Sequence, residues 1–113
     1  MTSPEREQDR DALLIGLRLR DVRLQYGYSL ERFAEQLSVS PSHLSNIECG
    51  RKPPSLELLT KVATAFDVSL DYLILGRQDR RQGNFLVFRS DDELLKTFVL
   101  VPPGTRSDPS PAR

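Results

Sequence analysis

Residues 38–50 read SVSPSHLSNIECG, and their pattern of polar, apolar and helix-bounding residues predicts a short helix. Ser40 followed by Pro41 predicts the start of a helix, because a serine side chain can cap free backbone N–H groups and proline at the first helical position loses no hydrogen bond. Gly50, which favours a left-handed backbone, predicts the end of this helix near Cys49. The side chains that we expect it to bury are Leu44 and Ile47.

The sequence on either side predicts four further short helices between residues 11 and 76. Apolar residues recur there at spacings of three and four, and serines or glycines bound the runs. Ser29, Ser55 and Ser69 are the expected caps of the second, fourth and fifth helices. Because helices this short are marginal in isolation, they must share one core. We therefore expect an all-α domain of five helices.

The second and third helices are joined by only three residues, Ser38, Val39 and Ser40. Ala34 lies where the two helices come closest and where only a small side chain fits, and Val39 points inward at the turn. This is the spacing of a helix-turn-helix unit. The exposed residues of the third helix are therefore the first candidates for a functional surface.

The charge and residue composition exclude several classes of function. Sixteen Lys and Arg residues balance sixteen Asp and Glu residues, and residues 11–76 hold seven basic against eight acidic side chains. Any DNA binding must therefore rest on local placement of charge rather than on bulk attraction. The single cysteine excludes an internal disulfide and a cysteine-based zinc site, and the single histidine lacks a partner arrangement typical of catalysis. We expect a protein that is not an enzyme and holds neither metal nor cofactor.

The two ends of the chain are predicted to be disordered tails. Residues 1–10 are polar, which is unlike a secretory signal peptide, and residues 102–113 contain four prolines. The sequence also contains no run of about 18 apolar residues, the length needed to span a membrane. We therefore expect a cytoplasmic protein that does not enter a membrane.

Residues 77–84 predict a linker, and residues 85–101 predict a small strand-containing extension. Residues 85–88 and 97–101 are apolar, β-favouring runs, and Ser90 between them can cap a short helix. Strands with an open edge can pair with those of a second copy, and we favour dimerisation through this extension. Packing back onto the same domain and contact with a ligand or a protein partner are the alternatives.

A string of residues between positions 15 and 76 has the identities and spacings of a known family. The matching residues are Ile15, Gly16, Arg20–Arg23, Ser29, Phe33, Ala34, Leu37, Val39, Ser40, Leu44, Ser45, Ile47, Glu48, Gly50, Pro54, Ser55, Leu56, Leu59, Val62, Ala63, Phe66, Asp67, Val68 and Leu73. With these residues the chain resembles the lambda-repressor-like, Cro-type helix-turn-helix family, also called XRE regulators. The resemblance implies a transcriptional regulator, by default a repressor. It would bind double-stranded DNA sequence-specifically, as a homodimer on a palindromic operator.

The resemblance also implies a role for each exposed residue of the third helix, which would lie in the DNA major groove. Base contacts would come from Pro41, Ser42, His43 and Asn46, whose amide could pair with N6 and N7 of adenine. Phosphate contacts would come from the N-terminal caps of the second and third helices, from one residue within the third helix, from the loop that follows it, and from the first helix. The residues concerned are Arg20 (or Arg18), Ser29, Ser40, Ser45, Arg51 and Lys52.

Four further positions define and qualify the resemblance. An ion pair between Arg23 and Glu48 would tie the first helix to the end of the third and remove both charges from the DNA surface. Leu30 stands where relatives often carry Gln, and Cys49 stands where they often carry Asn or Arg. Both departures predict fewer polar contacts with DNA. An alternative function therefore stays open, a protein-interaction module such as an antitoxin-like or anti-regulator component that acts through residues 85–101.

Overall fold

The computed structural model describes residues 4–77 and 86–99, and within these residues the chain is all-α. The five helical elements predicted for the first part are present, although the fifth is a π-helical turn rather than a regular α-helix. One more helix follows in residues 86–99. The elements are α1 (Pro4–Gln25), α2 (Leu30–Leu37), α3 (Pro41–Glu48), α4 (Leu56–Phe66), the π-helical turn (Asp71–Leu75) and α5 (Asp91–Phe98).

Serine caps fix the starts of α2, α3 and α4, as the sequence predicts. Ser29, Ser40 and Ser55 have extended backbone, and each hydroxyl oxygen accepts a hydrogen bond from the N–H group three residues further on. Helix α2 is followed by Ser38, whose φ of 60° is left-handed. The chain therefore reverses at once and reaches the next cap after a single intervening residue. These local hydrogen bonds set the sharp turn between α2 and α3.

Helix α1 is the central element of the fold. Helices α3 and α5 and the π-helical turn pack against it, while α2 packs against α3 and α4. The helices thus share one core, which supplies the stability that each lacks alone. The largest fully buried side chains are Tyr72, Phe33, Leu17, Leu19, Leu37, Leu44, Ile47, Leu73, Leu94, Val22, Val62 and Val68.

Gly16 allows α3 to lie very close to α1. A Cβ atom at this position would overlap the carbonyl oxygen of Ile47 and come within 3.0 Å of the carbonyl oxygen of Glu48. The backbone at the end of α3 therefore rests directly on the backbone of α1. Because protein interiors are close-packed, any larger residue at position 16 would push the two helices apart.

The strands predicted within residues 85–101 are wrong, since the described part of the chain contains no β-strand. Residues 86–90 belong to no helix or strand, and α5 continues to Phe98. The reason lies at Ser90, whose hydroxyl accepts a hydrogen bond from the Glu93 N–H while the Glu93 carboxylate accepts one from the Ser90 N–H. This capping box, with its acidic first turn, stabilises a helix against the β preference of the neighbouring residues.

Residues 86–99, called here the C-terminal segment, pack back onto α1. The side-chain amide of Gln25 donates to the Val87 carbonyl over 2.6 Å and accepts from the Val87 N–H over 2.8 Å. One side chain thus supplies both hydrogen bonds that a neighbouring strand would supply. Leu86 and Leu94 are buried. The segment therefore adopts one of the alternatives that the sequence left open, and dimerisation through it stays a prediction.

Two ion pairs strengthen the attachment of the C-terminal segment. The buried guanidinium of Arg18 donates to Asp91 over 2.9 Å and to two carbonyl groups of the π-helical turn. The Arg89 side chain lies 3.4 Å from the carboxylate of Asp21, which is only 3% exposed. Burial raises the pKa of Asp21 above its ordinary value, against the opposing effects of Arg89 and of a hydrogen bond from Gln25.

Helix α1 begins at Pro4, whereas the sequence pattern predicts its start at Asp11 after a disordered tail over residues 1–10. Proline suits the first helical position, and the Glu, Arg and Gln residues that follow it are good helix formers. The polar sequence lacks the apolar periodicity on which the prediction relied, but it does not oppose a helix. The predictions for residues 1–3, 78–85 and 100–113 lie outside the described residues.

Replacing Gly16 by alanine should destabilise the protein, although alanine is the better helix former by about 1 kcal/mol. The added Cβ would meet backbone atoms of Ile47 and Glu48, and overpacking costs about 1–3 kcal/mol, occasionally more. We expect Gly16→Ala to lower the free energy of unfolding, measured by urea denaturation, relative to the exposed control Glu35→Ala. A Gly16→Ala protein as stable as this control would contradict the close contact between α1 and α3.

The buried Asp21 carboxyl predicts a specific pH dependence of stability. Its pKa in the folded protein is raised above 3.8, chiefly by burial and also by Glu93. The protonated form therefore stabilises the folded state, and this contribution is lost as the pH rises through the folded pKa. Because Asp21→Asn cannot ionise, its unfolding free energy relative to wild type should increase as the pH rises from about 4 through the raised pKa of Asp21. A constant difference, as expected for the exposed control Glu35→Gln, would refute the prediction.

Candidate nucleic-acid interface

Helix α3 turns a polar, uncharged face to solvent. Leu44 and Ile47 on its inner side are completely buried in the core, which forces the opposite side outward. The structure brings together there all four residues predicted to contact bases, together with one predicted phosphate contact. Of these residues, Pro41, Ser42 and His43 are exposed, and Ser45 and Asn46 are half-buried.

The capping serines of α2 and α3 border this face. The Ser29 hydroxyl accepts a hydrogen bond from the Arg32 N–H over 3.1 Å, and the Ser40 hydroxyl accepts one from the His43 N–H over 3.0 Å. A serine hydroxyl that accepts a hydrogen bond still carries a proton to donate. Both serines can therefore cap a helix and donate to a phosphate oxygen at the same time, next to the positive end of the helix dipole.

The ion pair expected between Arg23 and Glu48 is present and joins three elements. The guanidinium donates to both carboxylate oxygens, over 2.8 and 3.0 Å, and donates a third hydrogen bond to the Tyr28 carbonyl ahead of α2. The two side chains are only 11% and 5% exposed. This bidentate pair fixes the end of α3 against α1, and neither charge is available to DNA.

The arginines of α1 that were considered for phosphate contact have partners within the protein. Arg18 is buried and makes the hydrogen bonds to Asp91 and to the π-helical turn described above. Arg20 is half-buried, and its guanidinium carbon lies 4.7 Å from the centre of the Phe98 ring in the C-terminal segment. The distance indicates a cation–π contact. Contact between Arg20 and phosphate stays a prediction.

The loop after α3 contains an arrangement that the sequence did not predict. The backbone N–H groups of Arg51 and Lys52 donate to the Asn46 carbonyl over 2.9 and 3.3 Å. The Arg51 side chain also donates to the side-chain oxygen of Asn46 over 3.1 Å. No residue spacing signals this pair, because it depends on the path of the loop rather than on helical periodicity. Arg51 and Lys52 are both exposed beside the face of α3.

The described residues meet the requirements neither of a metal site nor of a membrane-spanning helix. Residues 4–77 and 86–99 hold no group of three His, Cys, Asp or Glu side chains that could bind a metal ion. In the same ranges, no helix has both the length and the apolar character needed to cross a membrane. Cys49 is a free thiol, exposed at the end of α3, and nothing in the structure explains why a cysteine stands there.

The helix-turn-helix family profile matches residues 19–73 of the chain. This range begins in α1 and ends in the π-helical turn, so it contains the whole unit formed by α2, the turn and α3. The match therefore falls on the elements that build the polar face.

Two curated relatives carry the same region. The HTH-type transcriptional regulator ImmR of Bacillus subtilis (strain 168) is 34% identical over 70 residues, which are 62% of this chain and 54% of that protein. The HTH-type transcriptional regulator SinR of Bacillus licheniformis is 40% identical over 70 residues, 61% of this chain and 62% of that protein. The chain thus spans somewhat more than half the length of these relatives.

Two solved structures share the fold. The clp gene regulator ClgR from Corynebacterium glutamicum is 38% identical with a TM-score of 0.53, and the match covers 57% of this chain and 68% of that one. The restriction-modification controller protein C.AhdI from Aeromonas hydrophila is 33% identical with a TM-score of 0.53, covering 57% of this chain and 97% of that one. The chain therefore belongs to the XRE-type helix-turn-helix family.

Breaking the Arg23–Glu48 pair should destabilise the protein strongly. Removing one partner of a buried ion pair leaves an uncompensated charge and costs about 3–5 kcal/mol. We expect Glu48→Gln to show such a loss in urea denaturation. The matched control is Glu57→Gln, which breaks an exposed pair with Lys61 at 3.8 Å and should cost no more than about 1 kcal/mol. Equal effects of the two substitutions would show that the buried pair does not hold α3.

Proposed function

We propose that the protein is a transcriptional regulator that binds a specific DNA sequence through α3, as a homodimer on a palindromic operator. The observation that carries the proposal is the exposed polar face of α3, which a buried core and a buried ion pair hold rigidly against α1. Recognition of base edges uses an exposed helix that is held in a fixed orientation. The named relatives are transcriptional regulators, which supports the same function.

Base recognition is assigned to the first two turns of α3. Ser42 and His43 are exposed donors and acceptors, and Asn46 follows Ser42 by one helical turn on the same side. Pro41 presents an apolar edge to the methyl group of thymine. These side chains are short or of medium length, so the helix must enter the major groove deeply for them to reach the bases.

Phosphate contacts are assigned to the rim of this face. Ser29 and Ser40 donate from helix N-termini, and Arg51 and Lys52 supply positive charge from the loop after α3. Ser45, beside the base-contacting residues, completes the set. Arg20 would join it only by leaving its contact with Phe98.

The small number of cations on this rim favours a dimer. Residues 11–76 carry more acidic than basic side chains, so one copy neutralises few phosphates and binds weakly. Two copies on half-sites about 34 Å apart, one turn of DNA, would double these contacts. Occupancy of such an operator would exclude polymerase, which makes the protein a repressor acting on the nucleoid in the cytoplasm.

Selection of bound sequences from a random DNA pool tests the proposal. We expect enrichment of a palindrome whose half-sites lie one helical turn, or a multiple of it, apart. Affinity for the selected duplex should fall steeply with added salt, because phosphate contacts release counterions. A pool without an enriched motif, or an affinity that salt does not change, would reject DNA recognition.

Substitutions at two exposed positions distinguish the effect of a base contact from that of a phosphate contact. Ser42→Ala should relax preference at one base position by about 1–3 kcal/mol, whereas Lys52→Ala should weaken all sequences alike and reduce the salt slope by about one. Quantitative binding to the operator and to its single-base variants measures both effects. If Ser42→Ala left affinity and preference intact, the placement of α3 in the groove would be wrong.

A further inference from the structure

The loop after α3 turns back onto the helix that it follows. Gly50 has a φ of +81°, and a Cβ there would lie 2.8 Å from the Cα of Leu13 in α1. Only glycine fits both the left-handed backbone and this close approach. The turn returns the chain to α3, where the N–H groups of Arg51 and Lys52 donate to the Asn46 carbonyl. Asn46 is therefore fixed at its backbone by the loop.

The same loop fixes the orientation of the Asn46 side chain. The Arg51 guanidinium donates to the side-chain oxygen of Asn46 over 3.1 Å. Arginine has no acceptor, so the opposite orientation of the amide would place its NH2 group against another donor. The oxygen of Asn46 therefore faces Arg51, and the NH2 group is the part left free to meet DNA.

This orientation changes the base that Asn46 can recognise. Pairing with adenine needs the amide oxygen to accept from N6 while the NH2 group donates to N7. Here the oxygen already accepts a hydrogen bond from a cationic donor. Its second lone pair could still accept from adenine, but the guanidinium of Arg51 would then stand beside the N6 amino group, which is also a donor. Guanine presents two acceptors instead, N7 and O6, and no donor at that edge. The Asn46 NH2 group and the remaining N–H groups of Arg51 form a set of donors that matches them.

We propose that Asn46 and Arg51 act as one unit that selects guanine in the major groove. Arg51 would then be a specificity-determining residue that positions Asn46, rather than a phosphate contact alone. The inference rests on the proposed function and specifies the base that this site reads. In the groove, where less bulk water surrounds the two side chains, the hydrogen bond between them should be stronger than on the exposed surface of the free protein.

Sequence selection with three variants of the full chain tests the proposal. Arg51→Met keeps the aliphatic stem but removes every donor, and Asn46→Ala removes the amide. Lys52→Met is the matched control, since it removes the same charge from the neighbouring position of the loop. All three side chains concerned lie on the surface or at its edge, and urea denaturation checks that each variant folds.

We expect the wild-type protein to select guanine at one position of each half-site. Arg51→Met and Asn46→Ala should both lose the preference at that position, by on the order of ten- to a hundredfold, whereas Lys52→Met should retain it. Replacing the guanine by 7-deazaguanine, which lacks the N7 acceptor, should weaken binding of the wild type but not of Asn46→Ala.

Two results would overturn the proposal while leaving DNA recognition in place. One is a selected motif in which Asn46→Ala relaxes a position that is adenine. The other is an Arg51→Met protein that binds every sequence more weakly by the same factor and keeps the wild-type motif. A wild-type protein that enriches no motif would instead reject the proposed function itself, so the two failures can be distinguished.

Discussion

The bidentate ion pair between Arg23 and Glu48 is the interaction on which the recognition surface depends. Helix α3 is short and contributes only Leu44 and Ile47 as large apolar side chains to the core, which is too little to fix its rotation. The ion pair adds two directional hydrogen bonds, and the third donor of Arg23 holds the Tyr28 carbonyl at the entrance to α2. One arginine of α1 thus positions both helices of the helix-turn-helix unit.

This arrangement separates the charges that stabilise the fold from those that can meet a polyanion. The buried pair cancels itself within the protein, and the outer face of α3 carries no formal charge. Beside that face, Arg51 and Lys52 in the loop after α3 carry exposed positive charge. Discrimination between sequences can therefore come from hydrogen bonds to base edges, while the strength of binding depends on a few cations and on the number of copies bound.

Local chemistry explains why much of the fold could be predicted from the sequence. Ser29, Ser40 and Ser55 cap their helices because a serine hydroxyl accepts a hydrogen bond from a free backbone N–H group of the first turn, which depends only on residues close in sequence. The C-terminal segment was predicted less well because its residues favour two states. The β preference of its apolar runs competes with the capping box at Ser90, and both hydrogen bonds to the Val87 backbone come from Gln25, 62 residues away in sequence.

The candidate site shows the same division between local and long-range information. The polar face of α3 follows from the positions of its buried residues, so its members could be identified from the sequence alone. The contact between Arg51 and Asn46 depends on the left-handed backbone of Gly50, and the contact between Arg20 and Phe98 spans 78 residues. Neither contact has a periodic signal, and only the folded chain brings the partners together.

A titration of the isotopically labelled protein with its selected duplex, followed by NMR at each backbone amide, tests the proposed DNA interface directly. If α3 and the N-terminus of α2 form the interface, the largest shifts will fall on residues 41–46 and 29–32. Residues of the C-terminal segment remote from Arg20 will change little. Large shifts confined to residues 86–99 or to the outer side of α4, with residues 41–46 unchanged, would show that α3 does not form the DNA interface.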